Sequence, residues 1–331
     1  MSGKRLVEYE ALRGLSILLL LALHSEVFDP GIFGERFENL AAFVAKFLLG
    51  SFFFLAGFFT EASLSKPDAS AFRFIWSKFI RIYPPYWLAL ALFIFVLDYN
   101  LSRSALAVYL LNLQAVFSPT FVKSLLTLWY ISMLVVFYIV YGSMMVAIRS
   151  SLGLLLASFA VFWGALWAHL TYGIFDPRFF QYYFIFLAGV LFCRYEAIRV
   201  KAFRLQIFVK ILFAALSIVI LEWVFASQYP STHIFYVLAT GFYILSWVLL
   251  WLTIFRTPLG SWRFWGWLST ASFFAYLIHR PLWRVIDEFF GLDKNLSTVL
   301  THLIPGALLA LILGYFLQRG YDRLLAGLRL K

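Results

Sequence analysis

Long apolar stretches separated by short polar turns recur from one end of the chain to the other. They fall at 12–28, 40–62, 83–98, 125–147, 152–172, 179–194, 207–226, 234–255, 266–288 and 297–317. Each is close to the length that crosses a hydrocarbon core of about 30 Å as a helix. The pattern predicts an all-α, polytopic membrane bundle of about ten transmembrane helices. A β-barrel is excluded, because barrel strands are short and alternate in polarity. Segment 104–117 is apolar but only about 14 residues long, too short to cross, and is expected as an interfacial or partly inserted helix. Pro84 and Pro85 are expected at a helix start, or at a break just below the membrane.

Composition agrees. Of 331 residues, 63% are hydrophobic and only 13% charged, with a mean hydropathy of +0.88. A soluble domain is usually near a quarter charged. The net charge of +11 would suggest a nucleic-acid partner in a soluble protein, but here it sits in short loops and reads as a topology signal. With ten crossings and both termini cytoplasmic, the inner face collects most of the basic residues. These include Lys4, Arg5, Arg13, Lys66, Arg73, Lys78, Arg81, the cluster from Arg194 to Lys210, and Arg319, Arg323, Arg329 and Lys331. Arg36, Lys46, Arg103, Lys123, Arg178, Arg280, Arg284 and Lys294 fall outside. Counting 104–117 as a crossing would export the Arg194–Lys210 cluster, against the positive-inside bias. No linker or repeat divides the chain, so residues 1–331 are expected as a single integral-membrane domain in a cytoplasmic (inner) membrane, with lipid as the surroundings and no nucleic-acid partner. The N-terminal apolar stretch carries Arg13 and His24, which argues against a cleavable signal peptide. The single cysteine, Cys193, excludes an intramolecular disulfide and a cysteine-based metal site.

Candidate chemistry concentrates on three segments. Arg13 and His24 lie eleven positions apart on the first. At 100° per residue that is about three turns, so both project from one face, about 16 Å apart along the axis. Ionisable groups in a membrane helix are functional suspects. A neutral imidazole can take a hydroxyl proton and return it. A guanidinium suits phosphate or carboxylate. Glu26 points to another face and could meet His24 only at a frayed end. Lys78 and Arg81, at i and i+3, would offer two cations to an anionic ligand at the inner surface. His279 sits in a polar-studded span, and Arg280 and Arg284 beyond it require partners such as Asp287 or Glu288. His169, His233 and His302 are scattered without metal-ligand spacing, so no metal site is expected. No phosphate-binding loop, dinucleotide turn or nucleophile elbow is present. Each of these residues also has a purely structural reading: a snorkelling arginine, a flanking cation, a hydrogen-bonded core histidine.

Taken in order, several strings resemble the membrane acyltransferase family 3. Arg13-Gly14-Leu15 with His24 is similar to its basic-x10-His signature. Phe52-Phe53-Phe54-Leu55-Ala56-Gly57-Phe58 is similar to "FFxLSGF", and Arg81-Ile82-Tyr83-Pro84 to "RIxP". Leu128-Trp129-Tyr130-Ile131-Ser132, with Phe137-Tyr138, resembles "LWFLS…FY". Phe184–Gly189 and Tyr276-Leu277-Ile278-His279-Arg280-Pro281-Leu282 complete the pattern. Ala56 stands where serine is usual, Glu10 where aspartate is frequent, and Leu134 and Val135 where an acidic pair is common. The acceptor preference of members carrying those acids therefore does not transfer.

The resemblance implies ten spans and an acyl-CoA-dependent sugar O-acyltransferase. His24 would be the essential histidine, Arg13 its basic partner and Arg81 the conserved arginine. Arg13, Lys78 and Arg81 are the expected acyl-CoA contacts, with Glu10, Tyr86, Trp129, Ser132, Tyr138 and His279 as further candidates. The expected co-substrate is acetyl-CoA or another acyl-CoA, with no permanently bound cofactor. The acceptor would be a hydroxyl of a sugar, polysaccharide or lipid-linked glycan. His24 acts either as general base or as acyl carrier. A secondary transporter, or an inactive subunit of a glycan-assembly machine, are the rival readings.

Overall fold

A computed structural model describes residues 6–28, 39–66, 68–293 and 295–328. Lys4, Arg5, Arg36, Lys294, Arg329 and Lys331, which enter the charge count above, lie outside the described residues. All the regular structure described is helical: α1 (Val7–His24), α2 (Leu40–Leu64), α3 (Ala71–Phe95), α4 (Arg103–Leu110), α5 (Gln114–Phe117), α6 (Trp129–Ala147), α7 (Ser151–Tyr172), α8 (Arg178–Arg194), α9 (Glu196–Arg204), α10 (Ile207–Ala226), α11 (Ile234–Ile254), α12 (Arg263–Phe290), α13 (Leu296–Thr301) and α14 (Ala307–Gly327). A π-turn, His302–Gly306, joins the last two into one long element.

Seven elements among the described residues are long and apolar enough to cross a membrane: α2, α3, α6, α7, α10, α11 and the α13–α14 unit. The other three expected spans, α1, α8 and α12, fall short of that measure. α1 holds Glu8, Glu10 and Arg13 within 18 residues, α8 is 17 residues long, and α12 carries Arg280, Arg284, Asp287 and Glu288. These three run through the middle of the bundle. No residue of α1 or α8 is exposed, nor is any of α12 from Trp265 to Trp283. α7 and α10, by contrast, present rows such as Leu156, Trp163, Trp167 and Phe208, Val219, Trp223 outward.

Helices approach closely where side chains are absent. α2 crosses α8 at Gly57 and Gly189: a Cβ on Gly57 would lie 2.0 Å from the Phe186 carbonyl oxygen, and one on Gly189 would lie 2.0 Å from that of Phe54. This reciprocal backbone contact is the small-residue packing that membrane helices favour. At one end of the same pair, the half-buried Arg194 donates to both carboxylate oxygens of the buried Glu61, at 2.9 and 3.0 Å.

The third element corrects the sequence reading. α3 does not begin or break at Pro84-Pro85; it runs unbroken from Ala71 to Phe95 with both prolines inside. Pro84 has no N–H for the carbonyl of Ile80, four residues back, and such a vacancy normally destabilises a helix. Here the Tyr321 hydroxyl of α14 donates to that carbonyl at 2.5 Å. Segment 104–117 is not a crossing. It forms the short helices α4 and α5 folded against α3, which caps the turn between them. Tyr86 donates to Tyr109 O, Trp87 to Leu110 O and Tyr83 to Leu111 O, at 2.6, 2.9 and 3.1 Å.

Candidate active site

α1 links two cavities that share no lining residue. The first, about 320 Å³, lies at its N-terminal half. Arg13 of α1, Lys78 and Arg81 of α3, Tyr130 and Tyr138 of α6, Ser272 and Tyr276 of α12, and Gln318, Tyr321 and Asp322 of α14 reach its wall. The Lys78 Nζ lies over the rings of Tyr138 (4.8 Å) and Phe74 (5.1 Å), and the Arg13 guanidinium lies 5.5 Å from the centre of the Phe59 ring. Aromatic faces attract cations without neutralising them. Three cations thus face one carboxylate, Asp322. Ala56 and Leu134, two of the positions that depart from the family strings, line the same cavity and leave that stretch of wall apolar.

The second cavity, about 610 Å³, lies at the C-terminal end of α1. It is walled by His24, Glu26, Arg280, Trp283, Arg284, Asp287, Asn295, Thr298 and His302, among others. Of its wall residues, Arg284 pairs with Glu288 and His302 Nε2 meets Asp287 Oδ1, each at 2.8 Å. Arg280 has no ion pair among the described residues, and its Nε is buried without a hydrogen bond.

The imidazoles of His24 and His279 meet at the edge of this cavity. Nδ1 of His24 is 2.8 Å from Nε2 of His279, and the rings lie within 5° of parallel. His279 is fully buried, and its Nδ1 reaches the carbonyls of Tyr276 (2.8 Å) and Ala275 (3.2 Å). Trp283 packs edge-on against His279, 5.2 Å between ring centres.

Arg13 and His24, expected on one face of the first helix, thus open onto different spaces. The two residues belong to separate cavities, and the closure between them is aromatic. Tyr276, one turn before His279, lines the first cavity; its hydroxyl donates to the Thr127 carbonyl and its ring packs edge-on against Tyr130 at 5.5 Å. Leu126, the neighbour of Thr127, lines the second.

A family model described as an acyltransferase domain matches residues 6–319. The chain belongs to the membrane acyltransferase family 3. No curated protein and no solved structure matches it.

The acyltransferase motifs sort into two groups. Arg13, Lys78, Arg81 and Tyr138 meet at the first cavity, and His24 and His279 at the second. The remaining candidates line neither cavity. Ser132 accepts from Ala115 N (2.9 Å) and donates to Asn112 O (2.6 Å), and Tyr86 caps Tyr109, so both fasten the α4–α5 segment. Trp129 is the platform for Arg178, whose guanidinium lies 3.8 Å from the ring centre. Glu10 lines neither cavity.

Arg178 also pairs with Asp176 in the loop before α8, and Ser124 donates to the same carboxylate at 2.6 Å. Burial pushes the Asp176 carboxyl up, but the Arg178 ion pair and these hydrogen bonds override it and hold its pKa below the ordinary value. Sequence reasoning missed Gln318, Tyr321, Asp322 and Leu325 of the first cavity. They recur at i, i+3, i+4 and i+7 at the end of the last span, a helical stripe visible in the sequence.

Proposed function

We propose that this protein moves an acyl group, acetyl in the simplest case, from cytoplasmic acyl-CoA to a hydroxyl of a sugar or envelope glycan in a cytoplasmic membrane. The observation that carries the reading is the cationic cavity at one end of α1 and the imidazole pair at the other. Arg13, Lys78 and Arg81 would bind the donor's phosphates through charge-assisted hydrogen bonds. The slender pantetheine arm would then run along α1 toward His24. That path passes Tyr276, so its hydroxyl must leave the Thr127 carbonyl when the arm enters. The acceptor occupies the second cavity, where arginine, asparagine, threonine and carboxylate groups offer donors and acceptors to a polyhydroxylated ligand.

His24 then takes the hydroxyl proton as the oxygen attacks the thioester carbonyl, and the departing thiolate receives that proton. In the alternative route His24 itself carries the acyl group between two such steps. An acyl-histidine trapped without acceptor supports the second route; a strict need for both substrates before CoA release supports the first. The function itself is tested by thiol detection with purified protein, acetyl-CoA and glycan acceptors. Wild type releases CoA, and His24→Ala folds but releases none. Absence of acceptor-dependent release from wild type across donors and acceptors would overturn the proposal.

Two cavities on opposite sides of an aromatic closure also suit alternating access, so a transporter is the second reading. It predicts flux that survives His24→Ala, with no thiol released.

A further inference from the structure

We infer that His279 is a positioning residue that fixes the tautomer of His24, leaving Nε2 of His24 as the free base. The inference rests on the proposed acyl transfer, but its geometry stands apart from it. A carbonyl oxygen can only accept. The short contact from His279 Nδ1 to the Tyr276 carbonyl, with the Ala275 carbonyl behind it, therefore requires a proton on that nitrogen. His279 is fully buried, neighbours Arg280 in sequence, and touches no carboxylate among the described residues, so a charged imidazolium there would be uncompensated. It is neutral, and its Nε2 is a bare acceptor. The 2.8 Å contact to His24 then has one polarity: His24 Nδ1–H donates to His279 Nε2. The neutral His24 ring keeps its lone pair on Nε2, which has no hydrogen-bond partner among the described residues, on a side chain lining the second cavity.

The chain of command runs from two helix carbonyls, through one imidazole, to the other. A second-layer hydrogen bond that sets which ring nitrogen is basic is a known use of histidine. Here the orienting group is a second, neutral imidazole. When Nε2 of His24 takes the acceptor's proton, the ring becomes an imidazolium, and its bond to His279 becomes charge-assisted without bringing a permanent anion into the bundle. The near-parallel rings and the Trp283 edge against His279 hold the pair in register.

Two measurements test this. Nitrogen-15 spectra of histidine-labelled wild-type protein in detergent, with five histidines to assign, read the tautomer directly and without catalysis. The expected result is His24 protonated at Nδ1 and bare at Nε2; the reverse overturns the inference. In the thiol-release assay, His279→Gln can still present an amide oxygen to His24 and is expected to retain most of kcat. His279→Leu cannot, and kcat is expected to fall by about 100-fold or more with KM for acetyl-CoA unchanged. Equal loss in both variants, or none in either, overturns it. If wild type transfers no acyl group, the functional proposal fails while the spectrum still decides the tautomer.

Discussion

Lys78→Met separates binding from stability with opposite signs. Lys78 lies among Phe74, Tyr138 and the cavity wall, with its ammonium over two aromatic faces. Arg13 and Arg81 reach the same cavity, and one carboxylate, Asp322, answers three cations. In the unliganded protein this arrangement is costly, since three cations share one carboxylate and a half-buried ammonium loses solvation that the rings only partly return. Methionine keeps most of the stem's packing and discards the charge. The apparent Tm in detergent should therefore rise. With acyl-CoA bound, the same ammonium would face phosphate. Losing one charge-assisted hydrogen bond costs about 1.5–3 kcal/mol, which is about 10- to 150-fold in Kd. Isothermal titration with CoA alone measures this without any acceptor, and titration at rising salt should flatten the difference between variant and wild type. A variant that is less stable than wild type and binds CoA within about two-fold of it would refute the assignment of this cavity to the donor.

Three further outcomes follow from the packing. Glu61→Gln leaves the Arg194 guanidinium inside the α2–α8 junction without its bidentate partner and should destabilise by about 3 kcal/mol or more, while Glu61→Leu with Arg194→Leu recovers much of the loss; thermal melts of the three forms check it. Tyr321→Phe strips the Ile80 carbonyl of its donor and should cost about 1–3 kcal/mol, with faster amide exchange on α3 around Pro84. Asp176 has a depressed pKa when folded, so its contribution is present above the ordinary carboxylate value of 3.8 and lost as pH falls through the folded one. Asp176→Asn should flatten the low-pH end of a stability profile, and an unchanged acid slope would contradict the pairing.

How much of this was legible depends on sequence separation. The helical class and the short segment at 104–117 followed from length and apolar period alone. The convergence of Arg13 with Lys78 and Arg81 required only that each lie at the same end of its helix, and charge bias gave that. What the chain hid were long-range partners. Nothing near Pro84 says that α3 will continue through it, because the hydroxyl that satisfies Ile80 comes from Tyr321, 241 positions away. The His24–His279 bond spans 255 positions, and neither local string states it. Ser132, Tyr86 and Trp129 entered the candidate site through motif strings, yet their side chains fasten loops.

The three helices that miss a simple hydropathy measure are the ones walled in by the rest, and that is one fact seen twice. A helix must be apolar on any face that touches lipid, because an exposed polar group there loses its solvation. α1 and α12 carry Arg13, His24, His279 and Arg280, so they need either neighbours or cavities on every side. The bundle supplies both: α1 and the middle of α12 have no exposed residue, and their polar groups face the two cavities or each other. α8 has no exposed residue, and Gly57 and Gly189 let α2 lie against its backbone. The more apolar outer helices, α7 and α10 above all, serve as the solvent boundary that lets the inner ones be polar. Three of the ten expected spans thus fall short of a length-and-hydropathy measure, and two of them, α1 and α12, carry Arg13, His24, His279 and Arg280.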